Sequence, residues 1–103
     1  MAACTYVWEF LVAPEHVEAF ARDYGPHGAW AELFRQAPGH IQTLLLRDAA
    51  QPRRFVTVDR WESAEAYEGF RAQFSRQYAE LDARCARLTL RETLLGTFEE
   101  APD

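Results

Sequence analysis

The sequence predicts an α+β domain with the element order β-α-β-β-α-β. Three observations carry this prediction. Segments rich in aromatic and branched residues alternate with segments whose apolar residues step by three or four. Gly-Pro and Pro-Gly pairs punctuate them. The strand-like segments also carry apolar side chains on both faces, more than two helices can cover.

Cys4 to Val12 reads as the first strand. Tyr6, Trp8, Phe10 and Val12 share one face, and Thr5, Val7, Glu9 and Leu11 share the other. Pro14 suits a first helical turn, where its missing N–H costs nothing. Val17, Phe20, Ala21 and Tyr24 then form a helical stripe. Gly25-Pro26 interrupts that helix. A second piece carries Trp30, Leu33 and Phe34, and Pro38-Gly39 stops it.

His40 to Asp48 and Arg54 to Trp61 read as a hairpin of two strands. In the second, Phe55, Thr57, Asp59 and Trp61 share a face. Ser63 is a good N-cap, with Glu65 in the first turn behind it. The stripe Tyr67, Phe70, Phe74, Tyr78, Leu81, Cys85 and Leu88 predicts one helix of about six turns. Its opposite side, including Glu68, Arg71 and Glu80, reads as solvated. Thr89 to Glu99 returns to strand character. Together these make the split βαβ, ferredoxin-like pattern, with two helices packed on one face of a four-stranded antiparallel sheet. A second copy related by a two-fold axis is the simplest cover for the other face.

The 103 residues amount to one domain, 1–103, without an internal linker or repeat. The net charge of −5, with Arg53-Arg54 the longest basic run, gives no electrostatic case for nucleic acid or an anionic membrane surface. The chain has no lysine, which excludes Schiff-base chemistry on that side chain. Met1 to Val12 has neither a basic n-region nor a long apolar run, so no signal peptide is predicted. Cys4 and Cys85 read as reduced thiols of a cytoplasmic protein.

Phosphate-loop, dinucleotide, zinc-protease and nucleophile-elbow motifs are all missing. His16, His27 and His40 lack the spacing of paired ligands, so they read as surface or loop residues and no metal is expected. One segment stands out: Trp61-Glu62-Ser63-Ala64-Glu65-Ala66-Tyr67. A tryptophan ends a strand, a capped helix begins, and an aromatic follows one turn in.

With Pro38-Gly39 and the Leu-rich strand before it, the junction FVTVDRWESAEAYEGF resembles the antibiotic biosynthesis monooxygenase domain family. The resemblance runs from Tyr6 to Phe98. It implies a dimeric α+β barrel with a cavity between sheet and helices in each subunit. Some members oxidise polycyclic phenols to quinones with O₂ and no cofactor; others degrade haem. By the same resemblance, Trp61 and Tyr67 match a cavity Trp and Tyr of the oxygenases. Trp61 would hydrogen-bond an oxygen and Tyr67 would bind or relay a phenolic proton. Thr57 stands four before the Trp, where that type has an amide. The haem branch places an iron-ligating histidine where this chain has Arg71, which argues against haem degradation.

The remaining expected wall residues are Trp8, Asp59, Phe70, Phe74 and Tyr78, with His27 and Trp30 at a mouth beside the Gly25-Pro26 break. Asp59 is a candidate polar group that could equally pair with an arginine. The expected function is cofactor-free oxidation of an aromatic or polyketide-like phenol. The alternative is a non-catalytic binding or structural homodimer, with the helix–sheet space filled by Phe70, Phe74 and Tyr78.

Overall fold

The computed structural model describes residues 2–102. Its strands are β1 (Cys4–Val12), β2 (His40–Arg47), β3 (Arg54–Trp61) and β4 (Thr89–Glu99), and its helices α1 (Val17–Tyr24), α2 (Ala29–Arg35), α3 (Ala64–Gln73) and α4 (Ser75–Cys85). The sheet order is β2-β3-β1-β4, antiparallel throughout. This is the ferredoxin-like α+β arrangement expected from the sequence.

The pleat assigns the two faces. Tyr6 lies between Asp59 and Thr97, Trp8 between Thr57 and Leu94, and Phe10 between Phe55 and Glu92. These residues look toward the helices. Val7 lies opposite Val58, which in turn faces Leu44 on β2; Glu9 lies opposite Val56, which faces Leu46. These form the outer face, where Leu44, Leu46 and Phe98 are exposed. Arg54 pairs there with Glu9 at 2.6 Å and with Asp48 at 3.1 Å.

Loop chemistry sets the ends of the elements. Pro14–His16 forms a single 3₁₀ turn before α1. The Gly25-Pro26 break lets α2 start anew at Ala29, and a Cβ on Gly28 would stand 2.2 Å from the Arg22 carbonyl oxygen. Gly39 has φ +101°, and a Cβ there would meet that of Ala66 at 2.6 Å. Only glycine therefore lets the entrance to β2 lie this close to α3. Ser63 caps α3, its Oγ accepting from the Ala66 N–H at 3.1 Å. Asp48 orders the β2–β3 turn by accepting from the Ala50 N–H at 2.7 Å.

The structure corrects the prediction of one six-turn helix. Phe74 leaves helical geometry (φ −110°, ψ 28°) and separates α3 from α4, and Leu88 falls in a closing 3₁₀ turn. Hydrogen bonds bridge the break, from the Phe74 N–H to Phe70 and from the Tyr78 N–H to Phe74, each 2.9 Å. The bend keeps Phe74 stacked on Phe70 while Tyr78 meets Trp30 edge-on at 5.0 Å.

Candidate functional site

A partly open cavity of about 350 Å³ lies between the sheet and the helices. Its floor is the inward row of the pleat: Tyr6, Trp8 and Phe10 from β1, Thr43 from β2, and Thr57 and Asp59 from β3. Tyr24, Trp30 and Phe34 wall one side from α1 and α2. Tyr67, Arg71, Tyr78 and Asp82 wall the other from α3 and α4, and Glu92 of β4 completes the lining.

Trp8, Trp30, Thr57, Asp59, Tyr67 and Tyr78, all candidates from the sequence, line this cavity. Four expected residues do not reach the wall. Phe70 and Phe74 are core side chains, 1% and 9% exposed. The apolar stripe of α3 is wider than the cavity, and these two rings pack behind it. His27 is exposed outside the lining because the turn folds back on α1 and presents Tyr24 and Trp30 instead. Trp61 is fully buried, enclosed by Phe34, His40, Tyr67 and Phe70 at 5.2–5.6 Å between centroids. Its indole N–H has no hydrogen-bond partner.

The floor has one ordered polar chain. Thr43 Oγ1 donates to Asp59 Oδ1 at 2.8 Å, and His40 Nε2 lies 3.0 Å from the same hydroxyl. Asp59 thus pairs with a threonine on the neighbouring strand, not with an arginine. Burial raises its carboxyl to about 6, against the lowering effect of the Thr43 bond. His40 is half-buried rather than a surface residue, packed against Phe34 and Trp61. Burial, aided by the nearby Arg35 charge, lowers its basicity.

The aromatic walls are polar at their tips. Tyr6 and Tyr67 lie 4.2 Å apart between centroids. Arg71 donates to the Tyr67 hydroxyl at 3.3 Å and sits 3.8 Å over the Tyr78 ring. Arg71 is exposed, as its place on the solvated face implies, and its i,i+4 spacing from Tyr67 also brings it to the mouth. Burial pushes the Tyr78 hydroxyl up to about 12, and raises those of Tyr6 and Tyr24 as well. These phenols keep their protons near neutral pH, whereas Asp59 changes charge near 6.

Sequence reasoning missed Thr43, Tyr6 and His40. The β2–β3 register places Thr43 beside Asp59, and strand alternation places Tyr6 on the Trp8 face. Among the described residues, no group of His, Cys, Asp and Glu is arranged to hold a metal ion. Cys4 and Cys85 are both buried and free. No helix of the described residues is long and apolar enough to cross a membrane.

A four-stranded antiparallel sheet with one helical face and an aromatic cavity beneath it defines a ferredoxin-like domain of the hollow kind. The family model of the antibiotic biosynthesis monooxygenases matches residues 5–80, and the chain belongs to that family. A candidate antibiotic biosynthesis monooxygenase from Bordetella bronchiseptica is similar over 99% of this chain and 100% of its own, at TM-score 0.78 and 20% identity. SnoaB, a cofactor-independent oxygenase from Streptomyces nogalater, is similar over 100% and 97%, at TM-score 0.67 and 24% identity. The Pseudomonas aeruginosa protein PA3566 is similar over 99% and 97%, at TM-score 0.73 and 17% identity. At these identities the likeness is one of fold. No protein of curated function matches the chain.

Proposed function

We propose that this protein is a cofactor-independent monooxygenase that oxidises an electron-rich aromatic, an anthrone or hydroquinone of the polyketide kind, with O₂. The observation that carries the reading is Asp59: a carboxyl poised near 6, in the floor of a cavity walled by Tyr6, Trp8, Trp30, Tyr67 and Tyr78. Family membership and the likeness to an oxygenase that works without a cofactor support it.

The chemistry follows from that floor. Asp59 takes the hydroxyl proton of the enol or phenol, and its raised basicity suits it to the task. The resulting anion passes one electron to O₂; radical and superoxide combine into a carbon-bound peroxide anion, which takes a proton from water to become the hydroperoxide. Loss of the C–H proton from that carbon then breaks the O–O bond and expels hydroxide, which takes up a proton, leaving a carbonyl and one water. One oxygen atom enters the product and the other leaves as water. Tyr67, held by Arg71, hydrogen-bonds the substrate oxygen, and the aromatic walls exclude water from the radical pair. Trp61 supports the Tyr67 ring from behind at 5.4 Å.

The reading includes a homodimer in the cytoplasm, joined through the outer sheet face. Leu44, Leu46 and Phe98 are exposed there beside half-buried Val7, Val56 and Val58, a patch a second copy would cover. Sedimentation checks this: a wild-type dimer and a Leu46→Glu monomer are expected, and a wild-type monomer contradicts it.

The reaction is tested with dithranol, a dihydroxyanthrone, and a panel of hydroquinones. Wild type should consume O₂ and form the quinone, and Tyr67→Phe and Asp59→Asn should be slower. Tight binding without uptake would favour a non-catalytic binding protein. Absence of both across the panel would sink the reading.

A further inference from the structure

We infer that His40, Thr43 and Asp59 form a proton wire that carries the substrate's hydroxyl proton from the cavity floor out to solvent. The inference rests on the proposed reaction for its substrate, but the wire is a property of the free protein.

The geometry has the form a wire needs. Asp59 lies in the cavity floor, Thr43 is buried beside it on the adjacent strand, and His40 stands half-buried at the start of β2. The two links measure 2.8 Å and 3.0 Å, both hydrogen-bond distances, and they share one hydroxyl. A hydroxyl accepts on one side while donating on the other, so Thr43 can pass a proton in either direction.

The transfer balances as follows. Asp59, having taken the substrate proton, gives it from Oδ1 to Thr43 Oγ1. In the same event Thr43's own hydroxyl proton passes to His40 Nε2. The imidazolium that forms releases its other ring proton, from Nδ1, to water. The Thr43 hydroxyl then points back to the Asp59 carboxylate, the orientation in which Thr43 donates to Asp59.

Burial acts on the two ends in opposite directions. Asp59 is raised to about 6 by burial and His40 is lowered from its usual value by burial, and both shifts narrow the difference between the ends. The other titratable and charged groups around the wire lie on the elements packed against it. Tyr6 of β1 and Tyr78 of α4 stay protonated. From α3, Tyr67 and Arg71 face Asp59 across the cavity, with Asp82 of α4 and Glu92 of β4 on its far side. Arg35 of α2 acts on the His40 end.

The free-protein test follows the His40 ring nitrogens by NMR through a pH titration. In wild type and Thr43→Ser, His40 should report a second inflection near 6 that belongs to Asp59. In Thr43→Val and Asp59→Asn that inflection should vanish. The kinetic test follows O₂ uptake with dithranol. Thr43→Val and His40→Phe should lower kcat on the order of 10-fold and Asp59→Asn on the order of 100-fold, with KM little changed. Thr43→Ser should restore the wild-type pH profile. His40→Phe keeps the ring between Phe34 and Trp61, so it guards against simple misfolding. A Thr43→Val protein with wild-type titration and kcat overturns the wire. If wild type consumes no O₂ the reaction reading fails, and the NMR coupling still decides the wire.

Discussion

The helix-covered side of the sheet has two unlike halves, one solid and one hollow. In the solid half, Phe34, Trp61 and Phe70 interlock with centroids 5.2–5.6 Å apart, and Phe10, Phe20 and Phe55 do the same at 5.1–5.2 Å, with Phe10 and Phe34 at the boundary, also lining the cavity. In the hollow half, Tyr6, Tyr67, Tyr78 and Trp30 surround the cavity over Thr57 and Asp59. Both halves are aromatic. The difference is at the ring tips. Phenylalanine has no polar atom and loses nothing by complete burial against other rings. A tyrosine hydroxyl or a carboxyl must keep a partner or water, so a surface rich in them resists closing. Polar tips make the hole; aromatic content alone does not.

The largest test of this contrast is Trp61→Ala in the solid half. Removing a fully buried indole from a packed cluster should cost about 3–5 kcal/mol in urea unfolding. Trp61→Phe keeps a ring in the same place and should cost much less. If Trp61→Ala costs under about 1 kcal/mol, the cluster is not solid in the sense argued, because a filled core responds strongly to cavity creation.

The next effect has the opposite sign and belongs to the hollow half. Asp59 has its folded value raised to about 6, above an unfolded value of about 3.9. Between those values the folded chain holds the extra proton. The contribution is fully present below about pH 4 and is lost as pH rises through about 6. Ionised Asp59 therefore destabilises the fold at pH 8, by about 2 kcal/mol after allowance for its partial solvation. Asp59→Asn still accepts from Thr43 and removes that cost. Its melting temperature should exceed wild type at about pH 8 and match it at about pH 4. A variant less stable at both pH values would show that Asp59 is a structural group and not a strained functional one.

The two halves were unequally legible in the sequence. Alternation along β1 and β3 fixed which residues face the helices, so Trp8, Thr57 and Asp59 reached the cavity as expected. Three-and-four spacing along α3 found Tyr67 and Phe70 together but could not separate wall from core, since both lie on one stripe. That distinction depends on the Phe74 bend and on where α2 crosses. Thr43 and His40 were invisible for another reason. Their meaning comes from the register of β2 against β3, which a Leu-Leu-Leu strand with blurred alternation does not disclose. Trp61 was read correctly as a junction residue, yet its depth required the close approach at Gly39.

The smallest expected effect tests how the halves are joined. Helix α3 carries Tyr67 into the hollow half and Phe70 into the solid one, and Ser63 caps its first turn. Ser63→Ala leaves the buried end of α3 with an unpaired Ala66 N–H and should cost about 1 kcal/mol. The loss should not be shared evenly. Phe70 is locked by Phe34, Trp61 and Phe74, whereas Tyr67 sits in the turn that frays. Dithranol binding should therefore weaken several-fold while the buried Trp61 environment, read by near-ultraviolet circular dichroism, stays unchanged. Equal loss of both signals would mean that the solid half gives the hollow half no rigid base, and that the cavity is shaped by the helix cap alone.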